Sequence, residues 1–431
     1  MFMKAREVMN PKFIGKEVML RGWVHRKRHL GSKIFLVLRD SSGIIQCLVS
    51  EDKVNKETWE QAEKITRESS FIVRGIVRKD ERAPGGYEVE VKWLKIVGLS
   101  DVFPIRGGEG VDYLLDNRHL WIRSTRLTAI MKIKHSVLKA AREYLLSNGW
   151  WEVTPPIITS SAVEGGATLF ELKYFDKKAY LSQSAQLYLE VLIYSLEKVW
   201  SLTPSFRAEK SRTRRHLAEY WHLELEAAWY HMNDMMRVAE DLVAYIIENV
   251  LKERKEELQL LKRDTKILEK STETPYPRIT YDKAIEILKS KGFNIKWGDD
   301  LGADEERALT EEFEQPFFIT HFPKQIKAFY MKLDPNRPDV VLGFDMLAPE
   351  GYGEIIGGSE REDDYEKLLK RIIEFGLNPD DYKWYLDLRR YGSIPHSGFG
   401  LGIERLVMWI AGIDHIRDAT PFPRFRERVY P

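Results

Sequence analysis

A chain of 431 residues is too long for one hydrophobic core, so two or more domains are expected. Its hydrophobic share of 43% includes no apolar run of membrane-spanning length, which argues against a helical membrane protein. The net charge of +1 announces no nucleic-acid partner by itself, but residues 1–100 hold 20 Lys and Arg against 13 Asp and Glu. The single cysteine, Cys47, can form no internal disulfide, and no cleavable apolar leader opens the chain. A cytoplasmic location is expected.

The first hundred residues read as short strands. Val18, Leu20, Gly22 and Val24 alternate with polar neighbours, RKRHLGSK (26–33) reads as a basic loop, and Ile34 to Leu38 resumes the strand. Asp40 to Gly43 signals a turn into Ile44 to Val49. A helix-like segment, Trp59 to Arg67, precedes two further strands, Phe71 to Val77 and Tyr87 to Ile96. Five strands with one interposed helix predict an OB-fold barrel over residues 1–101, a common carrier of single-stranded nucleic acid. Phe35 and Gln46 fall on its outer face, where an aromatic ring can stack a base and an amide can read a Watson–Crick edge.

Residues 102–128, with Pro104 and Gly107-Gly108, read as a linker. Ile130, Ile133, Val137, Ala141, Tyr144 and Leu145 then form one helical stripe, and Trp150 to Val153 leads into Pro155-Pro156. Residues 161–170, SAVEGGATLF, are small and glycine-rich, and LSQSAQLYLE follows at 181–190. The stretch FRAEKSRTRRHLAEYWHLELEAAW (206–229) reads as an antiparallel hairpin. Arg207 and Glu209 share one face of its first strand, and Tyr220, His222, Glu224 and Glu226 share one face of the second. Its cationic tip carries Arg212, Arg214, Arg215 and His216, and arginine forks grip phosphate oxygens bidentately. Residues 233–263 read as one long helix, whereas 274–345 show no assignable motif. In FDMLAPEGYGEIIGGSER (344–361), Asp345 and Glu354 are carboxylates of a hairpin able to hold Mg²⁺ beside a triphosphate. The glycines of HSGFGLGIERL (396–406) permit close backbone approach to a ligand, and Arg405 follows at the start of a helix.

Three of these stretches, in this order, resemble the motifs of the class II aminoacyl-tRNA synthetases. The segment ending in Pro155-Pro156 resembles motif 1, residues 206–229 resemble motif 2, and GFGLGIERL (398–406) resembles motif 3. The resemblance spans nearly the whole chain and lies closest to the asparaginyl and aspartyl branch. It implies an α+β multidomain protein: an anticodon-binding OB-fold and, over 129–431, a catalytic domain on an antiparallel sheet flanked by helices. It implies a homodimer joined through motif 1. ATP would lie bent across the sheet, with Arg207 on the α-phosphate, Arg405 on the γ-phosphate and one adenine face, and Tyr220 on the other face. Glu209 would accept from the adenine amino group, His216 would lie beside the phosphates, and Glu354 and Asp345 would hold Mg²⁺. Glycine at 357 replaces a serine of the aspartyl enzymes, which leaves Glu354 the firmer ligand.

For the amino acid, the resemblance implies Glu164 in a closing loop and Gln186, Leu189, Glu224 and Arg361 in the pocket. Aspartyl enzymes carry a lysine where this chain has Leu189, and that lysine pairs with the substrate carboxylate. Its absence favours asparagine, with Glu224 accepting from an amide NH₂ or the ammonium group and Arg361 donating to the amide carbonyl. The expected partners are tRNA-Asn, ATP and L-asparagine. Phe35 and Gln46 would contact the anticodon, and Arg212, Arg214 and Arg215 the acceptor stem. An aspartyl enzyme, whether strict or also charging tRNA-Asn, is the alternative. A paralogue making free asparagine is a further one, opposed by the basic N-terminal barrel.

Overall fold

The computed structural model describes residues 1–160, 168–209 and 213–431, so Glu164 and Arg212 lie outside the described residues. Two compact units emerge, Met1–Leu114 and Leu115–Pro431.

The first unit is a closed five-stranded barrel: β1 (Glu17–Leu30), β2 (Lys33–Arg39), β3 (Ile44–Ser50), β4 (Ser70–Lys79) and β5 (Tyr87–Gly98), in the order β1-β2-β3-β5-β4. Alternation fills its interior, with Ile34, Leu36 and Leu38 of β2 facing Ile45, Cys47 and Val49 of β3, all fully buried. Burial pushes the Cys47 thiol well above its usual range, as expected of a core residue. Two glycines let the barrel close tightly: a Cβ at Gly22 would lie 2.3 Å from the Arg39 carbonyl, and one at Gly75 2.2 Å from that of Glu90. The basic stretch read as a loop is strand. β1 continues through Arg26 to Leu30, paired with β2 after a bulge between Val24 and Arg26, so neighbouring backbone satisfies its amides. Helix α1 (Lys56–Lys64) begins earlier than its apolar pattern suggests, because the Asn55 side chain accepts from the Thr58 N–H and caps it.

Within the stretch read as a linker, short helices occupy Val111–Asp116 and Arg118–Trp121. The second unit is built on an eight-stranded sheet: β6 (Trp151–Glu152), β7 (Lys198–Phe206), β8 (Glu219–Ala228), β9 (Arg278–Thr280), β10 (Phe317–Thr320), β11 (Gly343–Ala348), β12 (Gly353–Glu360) and β13 (His396–Gly402). Their spatial order is β9-β10-β11-β12-β13-β8-β7-β6. The six central strands are antiparallel, and the outer pairs β9–β10 and β7–β6 are parallel. β13, last of these in the chain, lies mid-sheet between β12 and β8.

The helices that position the site are α2 (Thr125–Ser147), α3 (Gln186–Leu196), α4 (Met232–Glu253), α5 (Ala303–Thr310), α6 (Lys383–Arg390) and α7 (Ile403–Ala411). The apolar stripes of α2, α4 and α7 pack in one core with Trp200, Leu223, Leu225, Met346 and Leu401 of the sheet. Residues of opposite strand parity, such as Phe317, Ile319 and Leu347, enter a second core with Tyr281, Phe329 and Tyr385. The helix expected over 233–263 breaks at Arg254, whose φ of −120° ends α4 before a separate turn at Lys255–Leu260.

Candidate active site

Strands β7 and β8 pair so that Ser205 faces Tyr220 and Ser201 faces Glu224. Period-two alternation sends Leu223 and Leu225 to the core and Tyr220, His222, Glu224 and Glu226 to the opposite face. Arg207 and Glu209 lie beyond the end of β7 rather than within it as expected. The Arg207 amide donates to the Ala218 carbonyl (3.0 Å), and the two side chains still meet as an ion pair at 3.7 Å. The Arg207 guanidinium stands 5.7 Å from the Tyr220 ring centroid.

β13 brings Gly398, Gly400 and Gly402 opposite Glu226, Glu224 and His222. The first two glycines make room for β8 side chains. A Cβ at Gly400 would lie 2.2 Å from the His222 imidazole, and one at Gly398 2.0 Å from the Glu226 carboxylate. The run ends in α7, anchored by Glu404, which accepts from the Trp221 amide (2.9 Å) and from the Lys134 ammonium (2.5 Å). That anchoring aims Arg405 back over the sheet. Its Nη1 donates to the Glu354 carbonyl at 3.0 Å, and its Nη2 lies 3.4 Å from His216 Nε2. Burial, then the Arg405 charge, lowers the His216 pKa, which favours a neutral imidazole there.

These residues surround two adjoining spaces. A small one is lined by Arg207, His216, Tyr220, Glu354 and Arg405, with Gly400 and Gly402. A larger one, about 500 Å³, shares Arg207, His222, Glu354 and Gly400 with it and extends to Gln186, Leu189, Glu224, Asp345 and Arg361. The structure thus brings together most of the residues singled out along the chain. Arg214 is exposed, whereas Arg215 turns inward, pairing with Glu306 at 2.8 Å and donating to the Tyr352 carbonyl at 2.8 Å. On the barrel, Phe35 and Gln46 share the outer face. Arg28 lies 5.0 Å over the Phe35 ring, and Gln46 donates to Glu88 at 3.0 Å.

At the cavity's acidic wall, Asp345 and Glu354 converge over Gly357, where a Cβ would be 3.5 Å from one carboxylate and 3.2 Å from the other. Lys327 meets Asp345 at 2.6 Å. Burial raises the Asp345 pKa despite that lysine, whereas Arg405, Lys327 and Arg207 outweigh burial at Glu354 and hold it low. Two oxygen donors beside the space lined by Arg207 and Arg405 fit a Mg²⁺ ion, which takes one or two carboxylates and completes its shell with phosphate and water.

The far end of the cavity rests on a buried polar network. Arg361 forks onto Glu226 (3.0 and 2.9 Å) and donates to Ser359 (2.7 Å), so its guanidinium is largely committed to the protein. Glu224 accepts from the Ser184 hydroxyl and from the Ala185 amide (2.8 Å). Gln186 donates to Glu190 at 3.0 Å. Glu190 also takes Arg389 (2.8 Å), His396 (2.9 Å) and the Tyr385 hydroxyl (2.8 Å). Burial would raise the Glu190 pKa, but Arg389 and His396 reverse the shift and hold it well below the usual carboxylate range. Glu190, Glu226 and His396 stand close enough together to ligate a metal, yet guanidinium groups already pair with both carboxylates. Leu189 is fully buried, packed with Ala185, Ile193, Val199 and Ala228 where the cavity touches α3.

Sequence reasoning missed Glu190, Glu306, Lys327, Tyr385, Arg389 and His396. Only two carried a local cue: Glu190 lies one helical turn after Gln186, and His396 opens the glycine run.

Residues 110–426 match the model of class II tRNA synthetases (D, K and N), and residues 18–97 match that of the OB-fold nucleic acid binding domain. The chain is 62% identical to the asparagine--tRNA ligase of Pyrococcus horikoshii over 98% of both chains, and 60% identical to that of Thermococcus kodakarensis over the same share. It superposes on the crystal structure of asparaginyl-tRNA synthetase from Pyrococcus horikoshii complexed with asparaginyl-adenylate with a TM-score of 0.97, at 60% identity and full coverage of both chains. With that architecture, those motifs and these relatives, the chain belongs to the class II tRNA synthetases of the D, K and N group, and within it to the asparagine--tRNA ligases.

Proposed function

We propose that the protein activates L-asparagine with ATP, releasing pyrophosphate, and transfers the asparaginyl group to the 3′ end of tRNA-Asn. The pocket supports asparagine over aspartate through one observation above all: the wall at Leu189 is apolar. The nearby cation Arg361 is already paired with Glu226, and Glu224 adds a further carboxylate. An aspartate side chain would enter beside acids with little positive charge to spare, whereas a neutral amide meets no such repulsion.

In the first step the asparagine carboxylate attacks the α-phosphorus of ATP, and no protein nucleophile is needed. Arg207 holds the α-phosphate where negative charge grows, and Arg405 holds the γ-phosphate, so catalysis is positioning and electrostatic stabilisation. Tyr220 stacks one face of adenine against Arg405 on the other, and Glu209 accepts from its amino group. His216 lies beside the phosphates. Gln186 and Glu224 orient the amino acid, with Arg361 behind them, and Glu164 contributes to binding it. Asp345 and Glu354 hold Mg²⁺, whose chemistry is neutralisation of the polyphosphate charge.

Arg212 and Arg214 serve the acceptor stem, while Phe35 and Gln46 read the anticodon. Two chains pair through α2 and the strand that follows it. Among the described residues no helix is long and apolar enough to cross a membrane, and the enzyme works in the cytoplasm. Pyrophosphate exchange into ATP tests the assignment. Asparagine should support exchange better than aspartate by about a hundredfold or more. Equal or better exchange with aspartate would overturn it.

A further inference from the structure

Among the described residues Lys327 is the one lysine lining the 500 Å³ cavity, and no motif includes it. It follows the helical turn Lys324–Ile326. Its ammonium lies 2.6 Å from Asp345 Oδ2 and 3.9 Å from the Phe322 ring centroid, with the side chain mostly buried. Asp345 Oδ1, the other oxygen of the same carboxylate, faces Glu354 Oε1 across Gly357. The cation therefore occupies one side of the acidic pair while the second carboxylate leans on Arg405 at 3.3 Å. Each acid has its own protein cation, an arrangement that leaves the wall close to neutral without any metal.

A divalent ion cannot take full advantage of Asp345 while an ammonium is seated on it, since the two cations repel and compete for the same lone pairs. A lysine head is a compact point charge on a flexible stem, so it can leave such a position without moving the backbone. We propose that Lys327 is a resident counter-ion of the carboxylate pair, seated on Asp345 while the nucleotide site is empty and exchanged for the divalent ion that arrives with ATP. This rests on the assignment of Asp345 and Glu354 as metal carboxylates. The consequence is ordered loading: the nucleotide-free enzyme holds free divalent ion weakly, and the phosphates of ATP supply the extra ligands that make exchange favourable.

The test uses the full-length protein and Mn²⁺ as a paramagnetic substitute for Mg²⁺, with free Mn²⁺ counted by electron paramagnetic resonance. Without ATP, Lys327→Met should bind Mn²⁺ about tenfold more tightly than wild type, because one nearby positive charge is gone. Adding Asp345→Asn to that variant should remove the gain. Lys327→Arg, which keeps a cation, should bind as wild type does. Lys327→Gln serves as the second neutral variant, and circular dichroism confirms that each protein is folded. Unchanged or weaker Mn²⁺ binding by folded neutral variants overturns the inference. A separate measurement isolates the underlying assignment: Asp345→Asn and Glu354→Gln should each weaken Mn²⁺ binding in the presence of ATP. If they do not, the metal site itself is wrong and the role of Lys327 falls with it. If they do while the Lys327 variants match wild type, only the counter-ion role fails.

Discussion

Arg405 rests on Glu354: one guanidinium nitrogen donates to that residue's backbone carbonyl at 3.0 Å and lies 3.3 Å from its carboxylate. The arginine assigned to the γ-phosphate and the acid assigned to the metal are therefore aimed by a single contact between α7 and β12. Arg405→Ala, like Arg207→Ala, should lower asparagine-dependent pyrophosphate exchange by several powers of ten while the melting temperature stays near wild type. Near-normal exchange by either folded variant would remove these arginines from the chemistry.

Leu189→Lys tests the choice of substrate. A lysine there would bring a cation to the pocket wall, raising exchange with aspartate and depressing that with asparagine. Because the position is fully buried, the variant should also lose stability, so both amino acids are measured on the same folded preparation. An unmoved ratio would transfer selectivity to Glu224.

On the barrel, Phe35→Ala should leave exchange intact and weaken charging of tRNA at limiting concentration. Loss of one base stack costs roughly 1–3 kcal/mol. Normal charging under those conditions would take the anticodon away from this face.

Glu190 underlies the pocket, and Glu190→Gln should destabilise the folded protein by about 3–5 kcal/mol, because Arg389 would be left buried without its partner. The sign with pH follows from the lowered pKa. Stability supplied by the carboxylate is complete above the ordinary carboxylate range and declines as acid protonates it. The gap between wild type and variant in denaturant unfolding should therefore be full at neutral pH and shrink below about pH 4. A gap that does not change with pH would assign the loss to packing.

The barrel, the β7–β8 hairpin and the glycine strand were legible because each repeats a local rule: alternation, a turn signal, a glycine run before a helix. Arg207, Tyr220, Glu354 and Arg405 line one cavity, but it was the motif resemblance that linked their stretches, not these local rules. The rules failed where tertiary pairing overrode composition, as in the basic run Arg26 to Leu30, which its neighbour β2 recruits into strand. They were silent about Lys327, Glu306 and Arg389. Each of these is a single charged residue whose partner lies across the fold, so no spacing in the sequence marks it.

The mid-sheet position of β13 has a consequence for biosynthesis. A nascent chain that has emerged only as far as α6 carries β12 and β8 with facing edges and nothing between them. The glycine strand that joins them leaves the ribosome after both, although the barrel, complete by Gly98, can close long before. The catalytic half should thus acquire protease resistance in one late event, and chains released before His396 should be clients for chaperones rather than partly active enzyme.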